Sequence, residues 1–335
     1  MTRSHLLLLT LTLAAGCTGG GDAKTPVASG QITLAVIPKG TTHEYWKGVH
    51  AGAVQAQQEL AAAGDSVRII WKGPLREDDR EQQVQVVEGF ASQGVQGIIL
   101  APLDDRALVR PVEEANRAGI PTIIIDSGLQ TDSIVSFVAT DNYKGGELGA
   151  DRIAQLLGGK GKVLVLRYAE GSASTTERER GFLEKMKSAY PNITIVSSDQ
   201  YAGTTRETAK RAAVNLLNRF GGDLQGIFTA NESSTVGMLL ALQDMGKAGK
   251  IRFVGFDASA LLVNAMRQKQ LDGVAVQNPM KMGYLGVKMM LAHLRHQPVE
   301  KRVDTGVTMV TPDNLDLPET KAIVDPPIAK YLPGG

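Results

Sequence analysis

The chain has 335 residues, with 36 basic and 35 acidic side chains and a formal net charge of +1, so it lacks the electrostatic footprint of a nucleic-acid binder. Apolar residues make up 43% and charged residues 21%, an ordinary balance for a globular chain long enough for about two domains. The single cysteine, Cys17, excludes an intrachain disulfide and any multi-cysteine metal site.

The amino terminus reads as an export signal. Met1-Thr2-Arg3-Ser4-His5 is positively charged, residues 6–15 are apolar apart from Thr10 and Thr12, and small residues lead to Cys17. The apolar run is about half the roughly 20 residues that a bilayer span requires. Leu13-Ala14-Ala15-Gly16-Cys17 resembles a bacterial lipobox, with Ala14 where leucine is usual. That resemblance implies a lipoprotein signal peptide over residues 1–17 and a lipid on Cys17, which anchors an exported protein to a membrane of the cell envelope or periplasm. Residues 18–30 are rich in glycine and small polar side chains and are expected to form a flexible tether.

From Ile32 onward strand and helix signals alternate. Short, β-branched apolar runs predict strands over 32–37, 67–71, 97–101, 122–126 and 134–139. Helical periodicity falls between the first four, over 44–63, 79–93 and 105–118. The pattern then restarts with helix 142–157, strand 162–167, helix 176–189, strand 193–197, helix 206–220 and strand 226–229. Helix 233–245, strand 251–256, helix 260–268, strand 273–277 and helix 280–296 follow. Prolines gather between Pro312 and Pro333, so the last stretch is expected to be irregular. Two successive arrays predict an α/β fold of two similar lobes with right-handed crossovers. The carboxyl ends of both sets of strands then face one cleft, where open α/β sheets place ligands.

Residues just beyond the strands are therefore the candidates. The first lobe offers Lys39, His43, Tyr45, Trp46, Pro102, Asp104, Asp126 and Ser127; the second offers Arg178, Asn231, Glu232, Asp257 and Gln277. An aromatic face covers the C–H face of a sugar ring. Each sugar hydroxyl both donates and accepts, so carboxylates, amides and a guanidinium suit it. Plainer roles stay open. Tyr45 and Trp46 also begin the apolar face continued by Val49, Ala53, Ala56 and Leu60. Asp126 and Asp257 also suit turns and Asn231 a helix cap, while Arg178 sits in a charged run, Glu177-Arg178-Glu179-Arg180. His293 and His296 share a helix face without a third metal ligand. The first turn, Pro38-Lys39-Gly40-Thr41-Thr42-His43, lacks Gly-x-Gly-x-x-Gly spacing, and no nucleophile with a matching base stands out. No enzyme, cofactor or metal is expected.

Residues 32–310 resemble the periplasmic sugar-binding proteins of the ribose-binding type, the solute receptors of ABC importers. The carrying motifs are Pro121-Thr122-Ile123-Ile124-Ile125-Asp126, Ala139-Thr140-Asp141-Asn142 with Gly145-Gly146, and Arg178-Glu179-Arg180-Gly181-Phe182. Asn231-Glu232, Val254-Gly255-Phe256-Asp257 and Gln277 complete the set. The resemblance implies the type I periplasmic binding protein fold, two Rossmann-like lobes joined by crossings near Thr140, Gln277 and Val307. The lobes would be 31–140 plus 278–306 and 141–277 plus 307–320, with an irregular tail over 321–335. By the same match Tyr45 and Trp46 are pocket aromatics and His43 stands where the family often has asparagine. Asp126, Arg178, Asn231, Asp257 and Gln277 match positions that bond hydroxyls.

Two departures bear on the ligand. Ser127 replaces an arginine of the ribose pattern, and no pocket aromatic is clearly placed near 201–204. Ile37-Pro38-Lys39 with Asp126-Ser127 looks like the receptor for the furanosyl quorum-sensing autoinducer, whose lysine at this turn binds ligand, which favours Lys39. The expectation is a lipid-anchored monomer that binds a sugar or polyol between its lobes and delivers it to the transmembrane permease subunits of an ABC importer. The alternatives are the autoinducer receptor, or a sugar sensor or chemotaxis receptor subunit without transport.

Overall fold

A computed structural model describes residues 30–333; the export signal and Cys17 lie outside the described residues. The first sheet joins β1 (Ile32–Ile37), β2 (Val67–Trp71), β3 (Gly97–Leu100), β4 (Thr122–Ile125), β5 (Ser136–Ala139) and the late strand β11 (Arg302–Asp304). Its order is β11-β5-β4-β3-β1-β2, parallel throughout. The second joins β6 (Gly161–Leu166), β7 (Ile193–Ser197), β8 (Gly226–Thr229), β9 (Arg252–Phe256), β10 (Gly273–Gln277) and β12 (Val307–Val310). Its order is β12-β10-β9-β8-β6-β7, with only β12 antiparallel. Every residue of β3, β4, β8 and β10 is buried, as expected where helices cover both faces of a parallel sheet.

Each face carries its own apolar core. In the first lobe, α1 (Glu44–Ala62) and α9 (Pro279–Leu294) cover one side, while α2 (Arg80–Gln93) and α3 (Val109–Arg117) cover the other. In the second, α4 (Asn142–Leu157) and α5 (Ala173–Ala189) lie opposite α6 (Arg206–Phe220), α7 (Glu232–Asp244) and α8 (Ala260–Arg267). The α4–α5 contact is unusually close for a reason visible in the sequence. A Cβ at Gly146 would overlap the carbonyl of Arg178, and one at Gly181 would overlap that of Tyr143. The two glycines thus set the depth at which Arg178 enters the lobe.

The chain passes between the sheets three times. It leaves the first after β5, returns to it after β10, and leaves it again between β11 and β12. At the first and third passages Thr140 Oγ1 lies 3.3 Å from Thr305 Oγ1 and donates to the Gly306 carbonyl at 3.1 Å. Among the described residues no helix is long and apolar enough to cross a membrane.

Some expected boundaries move. The helix expected from residue 105 starts at Val109, because Asp104 accepts from the backbone N–H groups of Arg106 and Ala107 at 2.9 and 2.8 Å and holds a turn there. The tail over 321–335 is not irregular throughout. It contains part of α10 (Pro318–Val324) and all of α11 (Ile328–Tyr331). Pro318 begins α10 at the position where a missing N–H is tolerated, with Glu319 in the first turn and Lys321 in the last.

Candidate functional site

Two aspartates organise the site. Asp126 follows β4 and Asp257 follows β9, and these strands hold the same place in the order of their sheets. Each aspartate has a left-handed backbone, φ 64° and 66°. Each also donates its N–H to a carbonyl of the next strand, Val138 at 3.1 Å and Ala275 at 2.8 Å. Left-handed backbone turns the side chain away from the direction that the strand would give it, and aspartate accepts that conformation better than most residues. The duplication brings one carboxylate from each lobe to the cleft.

Lys39, at the turn after β1, pairs with Asp126 at 3.2 Å and is 4% exposed. Tyr45 at the start of α1 donates its hydroxyl to Asp126 at 2.9 Å. Its pKa is pushed well above the usual tyrosine value by burial and then by the charges of Asp126 and Asp257, so the hydroxyl stays a donor. Tyr45 meets Trp46 edge to face at 5.0 Å.

The second lobe contributes Arg178, which is only 1% exposed; in the same charged run Glu179 is buried as well, whereas Arg180 faces solvent. The Arg178 guanidinium lies 3.8 Å from the Phe256 ring centroid. Nε donates to Asn142 Oδ1 at 2.8 Å and Nη1 to the Ala230 carbonyl at 3.0 Å. The side chain lines the cavity, and the N–H groups of Nη2 have no hydrogen-bond partner among the described residues. Asp257 sits 3.9 Å from Nη1 and accepts from Gln277 Nε2 at 2.7 Å and from the Glu232 N–H at 3.1 Å. Gln277 Oε1 is buried with no hydrogen-bond partner among the described residues. A buried orphan acceptor is costly and marks a place where a hydroxyl donor would fit.

A third acid, Glu77, lies in the loop between β2 and α2. It accepts from His43 Nδ1 at 2.7 Å, Trp46 Nε1 at 2.8 Å and the Tyr168 hydroxyl at 2.7 Å. Burial opposes its ionisation, yet the His43 hydrogen bond and charge, the charge of Lys39 and the Trp46 hydrogen bond outweigh this and hold it down at about 2. Burial likewise pulls His43 down, but Glu77 more than offsets it and leaves the imidazole pKa raised.

These side chains enclose a cavity of about 30 Å³, room for roughly one or two waters. Of the ten predicted ligand residues, Lys39, His43, Tyr45, Trp46, Asp126, Arg178, Asn231, Asp257 and Gln277 line it. Ser127 does not; it is fully buried behind the wall, where Oγ accepts from the Ser174 N–H at 3.1 Å. Asn231 combines two readings, since it caps α7 by accepting from the Ser234 N–H and still faces the cavity. Glu232 also lines it, whereas Asp104 pairs with Arg80 at 2.7 Å instead. Glu77, Tyr168, Ser174 and Thr175 line the cavity without having been singled out. Tyr168 follows β6 closely, so the rule of reading beyond strand ends reaches it; Glu77 lies mid-loop, where that rule is blind.

The lobes meet directly around the cavity. Besides Glu77 with Tyr168, Lys39 Nζ donates to Ser172 Oγ at 3.3 Å and Ser174 Oγ at 3.1 Å, and the Asp105 N–H donates to the Gly171 carbonyl at 2.9 Å. Ligand pockets for molecules of drug size usually enclose several hundred Å³, so the lobes must part for a ring to enter.

Asp257 has a measurable consequence. Burial raises its pKa, the Arg178 charge and Gln277 hydrogen bond pull it back, and it settles at about 6 against an ordinary 3.8. The folded state therefore holds this proton more tightly than the unfolded chain. Its contribution is favourable below about 4 and is lost as pH rises through about 6, at a cost on the order of 2–3 kcal/mol. Asp257→Asn lacks that titration. Urea denaturation of the ligand-free proteins should show the variant gaining that amount relative to wild type between pH 4 and pH 8; a constant difference would contradict the assignment.

Comparison with known proteins gives a consistent result. The periplasmic binding protein domain family matches residues 34–298. The ribose import binding protein of Haemophilus influenzae is 28% identical over 291 residues, covering 87% of this chain and 95% of its own. A solved carbohydrate-transporter solute-binding protein of Agrobacterium radiobacter, in complex with D-arabinose, has a TM-score of 0.84 at 30% identity, covering 89% of this chain and 100% of that one. An ABC transporter solute-binding protein of Agrobacterium vitis with bound D-fucose has 0.83 at 36%, covering 87% and 99%. With two parallel-dominated sheets, three passages between them and strand ends that meet at one cavity, the chain belongs to the periplasmic binding protein domain family.

Proposed function

We propose that this protein is an extracytoplasmic solute receptor that captures a sugar or polyol between its lobes and delivers it to the permease of an ABC importer. The observation that carries the reading is the convergence of Asp126, Asp257 and Arg178 on one cavity beside Tyr45 and Trp46. Carboxylates accept from hydroxyls, the guanidinium donates to them, and the aromatics cover ring C–H groups. The relatives named for ribose or solved with D-arabinose and D-fucose support a ligand of monosaccharide size. Binding would bridge the lobes and stabilise the closed form that the permease recognises.

Lys39 favours a second reading. A buried lysine paired with Asp126 suits the furanosyl autoinducer as well as a sugar, because both present clustered hydroxyls. A thermal-shift screen over pentoses, hexoses, polyols and the autoinducer separates them. A ligand at a thousand times its Kd adds about 4 kcal/mol to stability, so one chemical class should raise Tm by several degrees. No shift with any member at millimolar concentration would overturn the reading.

The protein works as a monomer tethered to a membrane through lipidated Cys17. Cys17→Ser should move it from the membrane fraction to the soluble extract of cells that express it. Unchanged membrane association would refute the anchor.

A further inference from the structure

The stretch that follows β12 makes a connection between the lobes that the three sheet passages do not include. Its first part belongs to the second lobe. Leu315 is buried in the core under α6, α7 and α8, Ile323 and Val324 pack on that core, and Asp316 pairs with Arg267 at 3.2 Å. Its second part belongs to the first lobe. There α11 packs on α1, and Tyr331, Leu332 and Pro333 border a groove with Trp46, His50 and Trp71. The link between the two parts is Asp325-Pro326-Pro327. Proline fixes φ and also restricts the residue before it, so this link has little slack.

The segment also flanks the cleft. It roofs a cavity of about 710 Å³ whose walls come from both lobes, including Lys47 and Tyr45 on one side and Asp257, Val263 and Gln277 on the other. Tyr45, Asp257 and Gln277 line the small cavity too. Parting α1 from α8 would open the cleft and pull on this roof at both ends.

We propose that residues 312–333 are a strap that holds the lobes together and sets how readily the cleft opens. Opening requires α11 to leave α1. Ile328, Tyr331 and Leu332 are only half-buried there, so the tie is weak enough to release in each binding cycle. Three partly buried side chains set its effect at about tenfold in the open–closed equilibrium. The strap favours the closed form, and Trp46, which touches both the groove and the ligand cavity, lets its docking be felt at the site.

For its ligand-rate arm the proposal rests on the sugar-binding reading; a ligand-free arm stands apart from it. Two variants are compared with the full chain: one ended at Asp325, and a full-length Ile328→Asp, Leu332→Asp double variant that keeps the link and α10. Small-angle scattering without ligand should show a larger radius of gyration than the full chain for the double variant, and for the shortened variant a larger one than loss of the residues after Asp325 alone accounts for. Stopped-flow displacement of the best sugar from the screen should show dissociation about tenfold faster. Unchanged lobe separation and unchanged dissociation in both variants would overturn the strap. If no sugar binds, the sugar reading fails and the scattering alone decides the strap.

Discussion

Arg178→Met is expected to weaken sugar binding by at least about a hundredfold while the protein stays folded. Two of the guanidinium's donor positions are committed to Asn142 and the Ala230 carbonyl, and the plane rests on Phe256. What remains for a ligand is the two N–H groups of Nη2 and the second of Nη1, charged donors held rigidly in a buried wall. Charge-assisted hydrogen bonds to such a donor contribute about 1.5–3 kcal/mol each, and their loss alone accounts for most of the effect. Asp257 adds to it, since removing its cation favours its protonated form and weakens it as an acceptor. Methionine keeps much of the volume over Phe256, although the buried Asn142 side-chain oxygen and Ala230 carbonyl lose a donor, a cost that the melting temperature reads separately from affinity. Loss of the Arg178 charge also raises the Asp257 pKa further, so its carboxyl takes up a proton more readily rather than standing as an uncompensated buried charge. Titration calorimetry at pH 7.5 with the best ligand of the screen gives the affinity, and thermal melting checks the fold. Affinity within threefold of wild type would remove Arg178 from the site.

Asp126→Asn is expected to cost about thirty- to a hundredfold in affinity and to lower Tm as well. The substitution is nearly isosteric, and asparagine tolerates the φ of 64° at this position. What disappears is the charge that Lys39 faces at 3.2 Å and that Tyr45 donates to at 2.9 Å. An ammonium that is 4% exposed is then left without its counter-ion, which destabilises far more than loss of a surface pair. Asp126→Ala would confuse the result, because a left-handed backbone without a compensating side chain costs about 1 kcal/mol by itself. A cycle with Lys39→Met isolates the pair: the double variant should be more stable than additivity predicts. Independent, additive effects would show that the two residues do not act together.

Much of the architecture was legible in the sequence because buried parallel strands are written as uninterrupted apolar runs, often β-branched. Ile123-Ile124-Ile125 and Val254-Gly255-Phe256 each lead straight into an aspartate, and both aspartates reach the cavity. The edge strands β11 and β12 were not legible. They span three and four residues, are largely exposed or half-buried, and owe their form to their neighbours rather than to their own pattern. The same limit explains the tail, where dense prolines signalled irregular chain while α10 and α11 drew their order from packing on the two lobes.

The site divides along similar lines. Lys39, Tyr45, Asp126, Arg178, Asp257 and Gln277 stand where strand ends or family motifs place them. Ser127 follows an aspartate that turns into the cleft, so its own side chain turns to the wall and to Ser174. Glu77 is the largest omission. It belongs to a loop with no periodicity, and only three donors converging from His43, Trp46 and Tyr168 reveal it as a hub between the lobes.

The most direct measurement is a crystal structure of the protein with the sugar that binds most tightly in the screen. The ring should lie between the lobes against Tyr45 or Trp46, with hydroxyls within about 3 Å of Asp126, Asp257 and Arg178. A sugar held elsewhere on the molecule, or one that touches residues of a single lobe with those three side chains turned away, would contradict the proposed function.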